Sequence, residues 1–104
     1  MTIEEMELGA DQAVSLLKAM ANRHRLIILC CLQGGELSVG EMNQKIGLSQ
    51  SALSQHLALL RRDNLVKTRK EAQTVYYSLS SPEVEAIIAT LHSLYCASKN
   101  ISSV

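Results

Sequence analysis

The chain has 104 residues, ten Lys and Arg balance ten Asp and Glu, and 47% of residues are apolar. That size bounds it to one domain with a small core, for which self-association is an expected supplement. Phe and Trp are absent and aromatics total 3%, which excludes an exposed stacking platform for single-stranded nucleic acid, and zero net charge excludes a generally basic binder.

Residues 4–20 predict the first helix: Met6, Ala10, Ala13, Val14, Leu17, Ala19 and Met20 recur at helical spacing, with acidic residues near the start where the helix dipole favours them. Asn22 reads as the cap of a second helix over 23–33, apolar on most sides in "RLIILCCLQ" and ended by Gly34-Gly35. Ser38 opens a short third helix, "SVGEMNQKI", with Glu41 at capping-box spacing, and Gly47 stops it at a C′ position. Ser49 caps a fourth helix, "QSALSQHLALLRR". Helix, short Gly-containing turn, helix is the helix-turn-helix pattern.

Beyond Asn64 the period changes. "LVKTR" and "TVYYSL" alternate around a polar "KEAQ" tip and predict a β-hairpin. Ser80 or Ser81 caps a last helix with Pro82 in its first turn and an apolar stripe of Val84, Ile87, Ile88, Leu91, Leu94 and Tyr95. The tail "SKNISSV" is expected to fray. The predicted fold is mainly α with a β-hairpin wing: a winged helix-turn-helix, α-α-α-α-β-β-α, filling residues 1–104 as a single domain with an added helix at each end.

The fourth helix has an unusual opening. Ser49, Gln50, Ser51, Ser54, Gln55 and His56 crowd its first turns, while Leu53, Leu57 and Leu60 supply a core face. A recognition helix enters the major groove by its N-terminal residues. Gln reads adenine through two hydrogen bonds, and Ser serves as donor or acceptor. Five of the ten basic residues, Arg61, Arg62, Lys67, Arg69 and Lys70, fall within residues 61–70. With Gln73 at the hairpin tip they are the expected contacts to the duplex backbone.

The sequence opens without a signal-peptide pattern and "LIILCCL" is too short to span a bilayer. A cytoplasmic protein without membrane attachment is expected. Its three Cys residues then are buried thiols, ligands or redox groups. They form neither a C-x-x-C nor a nucleophile with a converging base, so a thiol enzyme is not indicated.

"LLKAMANRHRLIILCCL", "ELSVGEM", "LSQSALSQHLALLRRDNLV" and "RKEAQTVYYSL" resemble the ArsR/SmtB family of winged-helix repressors, nearest to its thiol-based, sulfide-responsive and hemolysin-regulator subgroup. The resemblance runs from about residue 12 to residue 96. It implies a homodimer built on the terminal helices through Met6, Ala10, Ala13, Val14, Leu17, Val84, Ile87, Ile88, Leu91, Leu94 and Tyr95. It also implies double-stranded DNA with an inverted-repeat operator as the partner. Metal-sensing relatives carry "ELCVCDL" where this chain has Ser38 and Gly40, and His92 lacks nearby carboxylates, so neither a metal nor another cofactor is expected; His24 and His56 are read as a surface and a DNA-facing residue.

The resemblance further implies that Cys30 and Cys96 form a sensing dithiol, linked directly or through extra sulfur atoms by reactive sulfur species or oxidants, with loss of DNA affinity. A helix C-terminus disfavours a thiolate at Cys96, and His92 one turn earlier offsets this if protonated. Cys31 reads as a buried small hydrophobe, because side chains of adjacent helical residues diverge by about 100° and a Cys30–Cys31 bond requires distortion. The alternative is a redox-inert DNA-binding anti-repressor that activates genes by displacing another repressor.

Overall fold

A computed structural model of the chain describes residues 1–97. The predicted tail, 98–104, lies outside the described residues. In chain order the elements are α1 (Ile3–Met20), α2 (Arg23–Leu32), β1 (Leu37–Ser38), α3 (Val39–Lys45), α4 (Gln50–Arg62), β2 (Val66–Glu71), β3 (Thr74–Leu79) and α5 (Pro82–His92), followed by a π-helical turn, Ser93–Ala97. The five helices and the wing match the predicted winged helix-turn-helix. The two-residue β1 is an addition to it: it pairs with β3, giving an antiparallel sheet of order β1-β3-β2.

Local chemistry sets the helix boundaries. The Asn22 side chain accepts from the backbone N–H groups of His24 and Arg25 at 3.0 and 3.1 Å. Ser38 and Glu41 close a reciprocal capping box, Glu41 N–H to Ser38 Oγ at 3.2 Å and Ser38 N–H to Glu41 Oε1 at 2.9 Å. Ser49 accepts from Ala52 N–H at 3.1 Å and Ser81 from Val84 N–H at 3.3 Å. At the end of α4, Asn64 takes φ 63°. The N–H groups of Leu65 and Asn64 return to the carbonyls of Leu60 and Arg61, a Schellman ending that Asn tolerates almost as well as Gly. Gly35 (φ 131°) uses glycine's freedom directly after α2. Gly47 follows the α3 cap residue Ile46 without a left-handed φ, so α3 ends by an extended Ile46 and not by a glycine cap.

The core is aliphatic and continuous: Ile28, Leu29 and Leu32 of α2, Met42 of α3, Leu53, Leu57 and Leu60 of α4, Val66 and Leu79 of the sheet, and Val84 and Ile88 of α5. Burial of these side chains against one another is the main stabilising term. It fixes α3 and α4 against α2 and the sheet, so the first turns of α4 are held out to solvent on a rigid base.

α1 is different. Only Ala19 and Met20, at its end, are buried, while Ile3, Met6, Leu8, Val14 and Leu17 remain exposed, as do Leu94 and Tyr95 after α5. The radius of gyration, 15.2 Å, exceeds the ~13 Å of a compact domain of this length. α1 is therefore an amphipathic arm whose apolar face is left uncovered by its own protomer.

Candidate nucleic-acid interface and thiol pair

The polar opening of α4 faces water. Ser49, Gln50, Ser51, Ser54 and Gln55 are all exposed. Gln50 stands one turn before Ser54, and Ser51 one turn before Gln55, so the four make two adjacent rows on one side of the helix. Leu53, Leu57 and Leu60 anchor the other side with no solvent exposure. The result is a rigid helix end that presents amide and hydroxyl groups together, the donor and acceptor set that base edges in a major groove require.

His56 is not part of that surface. Its ring is half-buried against α2, 5.7 Å from the ring of His24, and its buried Nδ1 has no hydrogen-bond partner among the described residues. Burial, then His24 and Arg25, hold its pKa below the ordinary histidine value. The expected DNA-facing role is corrected: His56 lies three residues after Leu53 and four before Leu60, and so turns towards the protein.

The basic residues divide. Arg61, Lys67, Lys70 and Gln73 are exposed, and Arg62 is exposed beside Asp63 at 3.2 Å. Arg69 is exposed too, but its guanidinium is already engaged by neighbouring side chains. Its Nε and Nη2 donate to the two carboxylate oxygens of Glu36 at 3.1 and 2.6 Å, and its Nη1 donates to Glu71 at 2.7 Å. The guanidinium also lies over the Tyr76 ring, 4.8 Å from its centre. The Glu36 carboxyl is correspondingly held below the usual carboxylate range by the Arg69 hydrogen bonds, and the Arg69 pKa is raised. In this structure Arg69 thus faces carboxylates where a phosphate contact was expected. Sequence reasoning missed Glu36, because nothing local links it to a residue on another strand of the wing.

Among the expected dimer contacts, Met6, Ala10, Ala13, Val14 and Leu17 lie exposed on α1, and Leu94 and Tyr95 are exposed after α5. Ile87 and Leu91 are half-buried and, with Leu17, Met20, Ala21 and Leu26, line an apolar hollow of about 300 Å³. Val84 and Ile88 are a correction. They are 2% and 0% exposed inside the protomer and cannot also form a face for another chain.

All three cysteines are free thiols. Cys30 is half-buried on α2; Cys96 is exposed in the π turn, beyond α5 and not at its end as expected. Burial pushes the Cys30 thiol up, and the charges of Cys96 and then Cys31 push the same way. Cys31 is half-buried too; burial raises its pKa and Lys45 opposes the rise. Among the described residues no three His, Cys, Asp or Glu side chains converge on a metal-sized site, and no helix is long and apolar enough to cross a membrane.

Residues 22–68 match the family described as "Bacterial regulatory protein, arsR family". The chain is 66% identical to "Transcriptional activator HlyU" of Vibrio cholerae serotype O1 over 92% of this chain and 89% of that protein. The structure "Reduced HlyU from Vibrio cholerae N16961" superposes with a TM-score of 0.86 at 66% identity, covering 90% of this chain and 99% of that one. The transcriptional repressor BigR from Xylella fastidiosa superposes with a TM-score of 0.85 at 37% identity, covering 94% and 97%. Helix-turn-helix, wing and sequence agree along nearly the whole length, and the chain belongs to the arsR family of bacterial DNA-binding transcriptional regulators.

Proposed function

We propose that this regulator acts as a homodimer on an inverted-repeat operator, and that a covalent link between Cys30 and Cys96 releases it from DNA. The observation that carries the sensing half is that both thiols are free, Cys30 half-buried on α2 and Cys96 exposed in the turn that follows α5, the helix that packs against α2. The uncovered apolar faces of α1 and of Leu94 and Tyr95 support the dimer. The exposed Gln50, Ser51, Ser54 and Gln55 read bases, while Ser49, Arg61, Arg62, Lys67, Lys70 and Gln73 meet the sugar-phosphate backbone. No enzymatic turnover is part of this reading.

The chemistry balances with a disulfide or trisulfide as oxidant. The Cys96 thiolate attacks a disulfide RSSR, forming Cys96–S–S–R and expelling RS⁻. The Cys30 thiolate then attacks the Cys96 sulfur, forming the protein disulfide and expelling a second RS⁻. Two protein thiols lose two electrons and two protons; the oxidant becomes two thiols. A trisulfide RSSSR attacked at its central sulfur expels RS⁻ and gives Cys96–S–S–S–R. Attack by Cys30 on Cys96 Sγ itself expels RSS⁻ and gives a disulfide, whereas attack on the next sulfur along expels RS⁻ and leaves a trisulfide bridge. A direct bond requires Cα atoms within about 7 Å, and each added sulfur relaxes that limit. Because Cys96 lies beside the exposed residues Leu94 and Tyr95, the link ties the terminal segment to α2 and alters the angle between the two recognition helices.

The test is DNA affinity of the wild type, Cys30→Ser and Cys96→Ser before and after treatment with an organic trisulfide, with intact mass read in parallel. Wild type is expected to release DNA and to change mass by the bridge; both Ser variants are expected to stay bound. Release by both variants overturns the sensing claim. A second reading, a redox-inert anti-repressor, is favoured by the name "transcriptional activator" of the Vibrio cholerae relative and by the half-buried position of Cys30, which limits its access to reagents. It requires wild type to hold DNA unchanged through the same treatment.

A further inference from the structure

Arg69 and Glu36 lie far apart in the chain yet form the best-built polar cluster on the described surface. Strand alternation puts Lys67, Arg69 and Glu71 on the face of β2 opposite Val66, which is buried. On β3, Tyr76 is the direct partner of Arg69. On the far side of β3, Ser38 of β1 pairs with that same Tyr76, and Glu36 leads into β1. The Arg69 side chain therefore crosses the middle strand, lies over Tyr76, and grips Glu36 at the opposite edge of the sheet.

All three guanidinium nitrogens donate to carboxylates, and one face of the group is covered by a ring. One positive charge meets two negative ones, so a phosphate approaching this cluster meets a net negative charge. Glu36 also stands two residues before Ser38, the cap of α3, so the grip joins the wing directly to the entry of the helix-turn-helix.

We propose that Arg69 is a positioning residue for DNA binding: through Glu36 and Tyr76 it sets the wing against the helix-turn-helix, and it does not itself contact a phosphate. Lys67 and Lys70 then carry the wing's contacts to the duplex, at an angle that the Arg69–Glu36 grip fixes. The inference rests on the family's DNA binding, not on thiol sensing, and stands whether or not the cysteines respond to oxidants.

Opposite signs make the test sharp. Removing a carboxylate near DNA strengthens binding if only charge matters; removing one that sets the wing weakens it. The experiment compares wild type, R69A, R69K, E36A, E36Q, K67A and the R69A/E36A pair on a duplex selected from a random pool by the wild type, across a range of salt concentrations. R69A and E36A are expected to weaken binding severalfold with melting temperature and salt slope unchanged, the double variant to be no weaker than the worse single one, and E36Q to recover part of the loss by keeping one hydrogen bond. R69K is expected to behave like R69A, because an ammonium cannot replace the planar fork. K67A is expected to flatten the slope by about one unit, as loss of a phosphate contact does. The proposal is overturned if R69A flattens the slope as K67A does, if R69K retains wild-type affinity, or if E36A binds DNA more tightly.

Discussion

Gln55→Ala isolates base reading from folding. Gln55 is exposed on α4, and its side chain makes no hydrogen bond to another described residue, so truncation breaks nothing inside the protein. Alanine is the better helix former by a few tenths of a kcal/mol, so the variant is expected to melt at or slightly above the wild-type temperature. The loss on DNA is a separate quantity. A Gln that bonds an adenine through two hydrogen bonds discriminates by about 1–3 kcal/mol. The proposed symmetric dimer would make that contact twice, so the total is about 2–6 kcal/mol, between about 30-fold and roughly 20,000-fold in Kd. Fluorescence anisotropy on a duplex selected by the wild type, and on an unrelated duplex of equal length, measures both terms. The loss is expected on the selected duplex alone. An equal loss on both duplexes refutes base reading by Gln55 and makes it a backbone contact; no loss on either removes it from the interface.

Two further outcomes follow from burial. His56 has a lowered pKa in the fold, so the unfolded chain binds the extra proton more readily; its contribution to stability is complete above the ordinary histidine value of about 6.5 and is lost as pH falls from there towards the folded value. Denaturation midpoints taken between about pH 7.5 and about pH 5.5 should fall for wild type and fall less for His56→Gln, and an identical fall in both places the pH response elsewhere. Leu57 has no exposed surface; Leu57→Ala is expected to cost about 2–5 kcal/mol in urea unfolding, and a cost below about 1 kcal/mol contradicts a close-packed core at that position.

What the sequence made legible was local. Asn22, Ser38, Ser49 and Ser81 cap helices through partners two or three residues away; the first three were readable as a residue type followed by a helical pattern, and the last was narrowed to Ser80 or Ser81. The wing was readable because its strands alternate around a polar tip. β1 was not, since two residues carry no periodicity and its pairing with Tyr76 and Tyr77 is made across the chain. The stripe on α5 announced apolar burial without naming what buries it: Val84 and Ile88 turn into their own core while Ile87 and Leu91 stay half-open. His56 was misread by residue type although its position was informative. With Leu53, Leu57 and Leu60 it completes the i, i+3, i+4, i+7 stripe of an inward face. Arg69 illustrates the opposite limit: a basic residue on a wing suggests a phosphate, and only the three-dimensional approach of Glu36 shows a nearer carboxylate.

The proposed thiol chemistry has an order that the geometry supplies. Cys96 is exposed and Cys30 is half-buried, so an oxidant in solution reaches Cys96 first. Burial pushes the Cys30 thiol up, which also makes it the weaker competitor for a reagent in solution. In the proposed sequence the oxidant is therefore captured at Cys96, and Cys30 reacts second, with a sulfur electrophile tethered to its own chain rather than with one free in solution. The order predicts that Cys30→Ser protein accumulates a mixed disulfide at Cys96, whereas Cys96→Ser protein is modified slowly at Cys30; faster modification of the Cys96→Ser protein reverses the order.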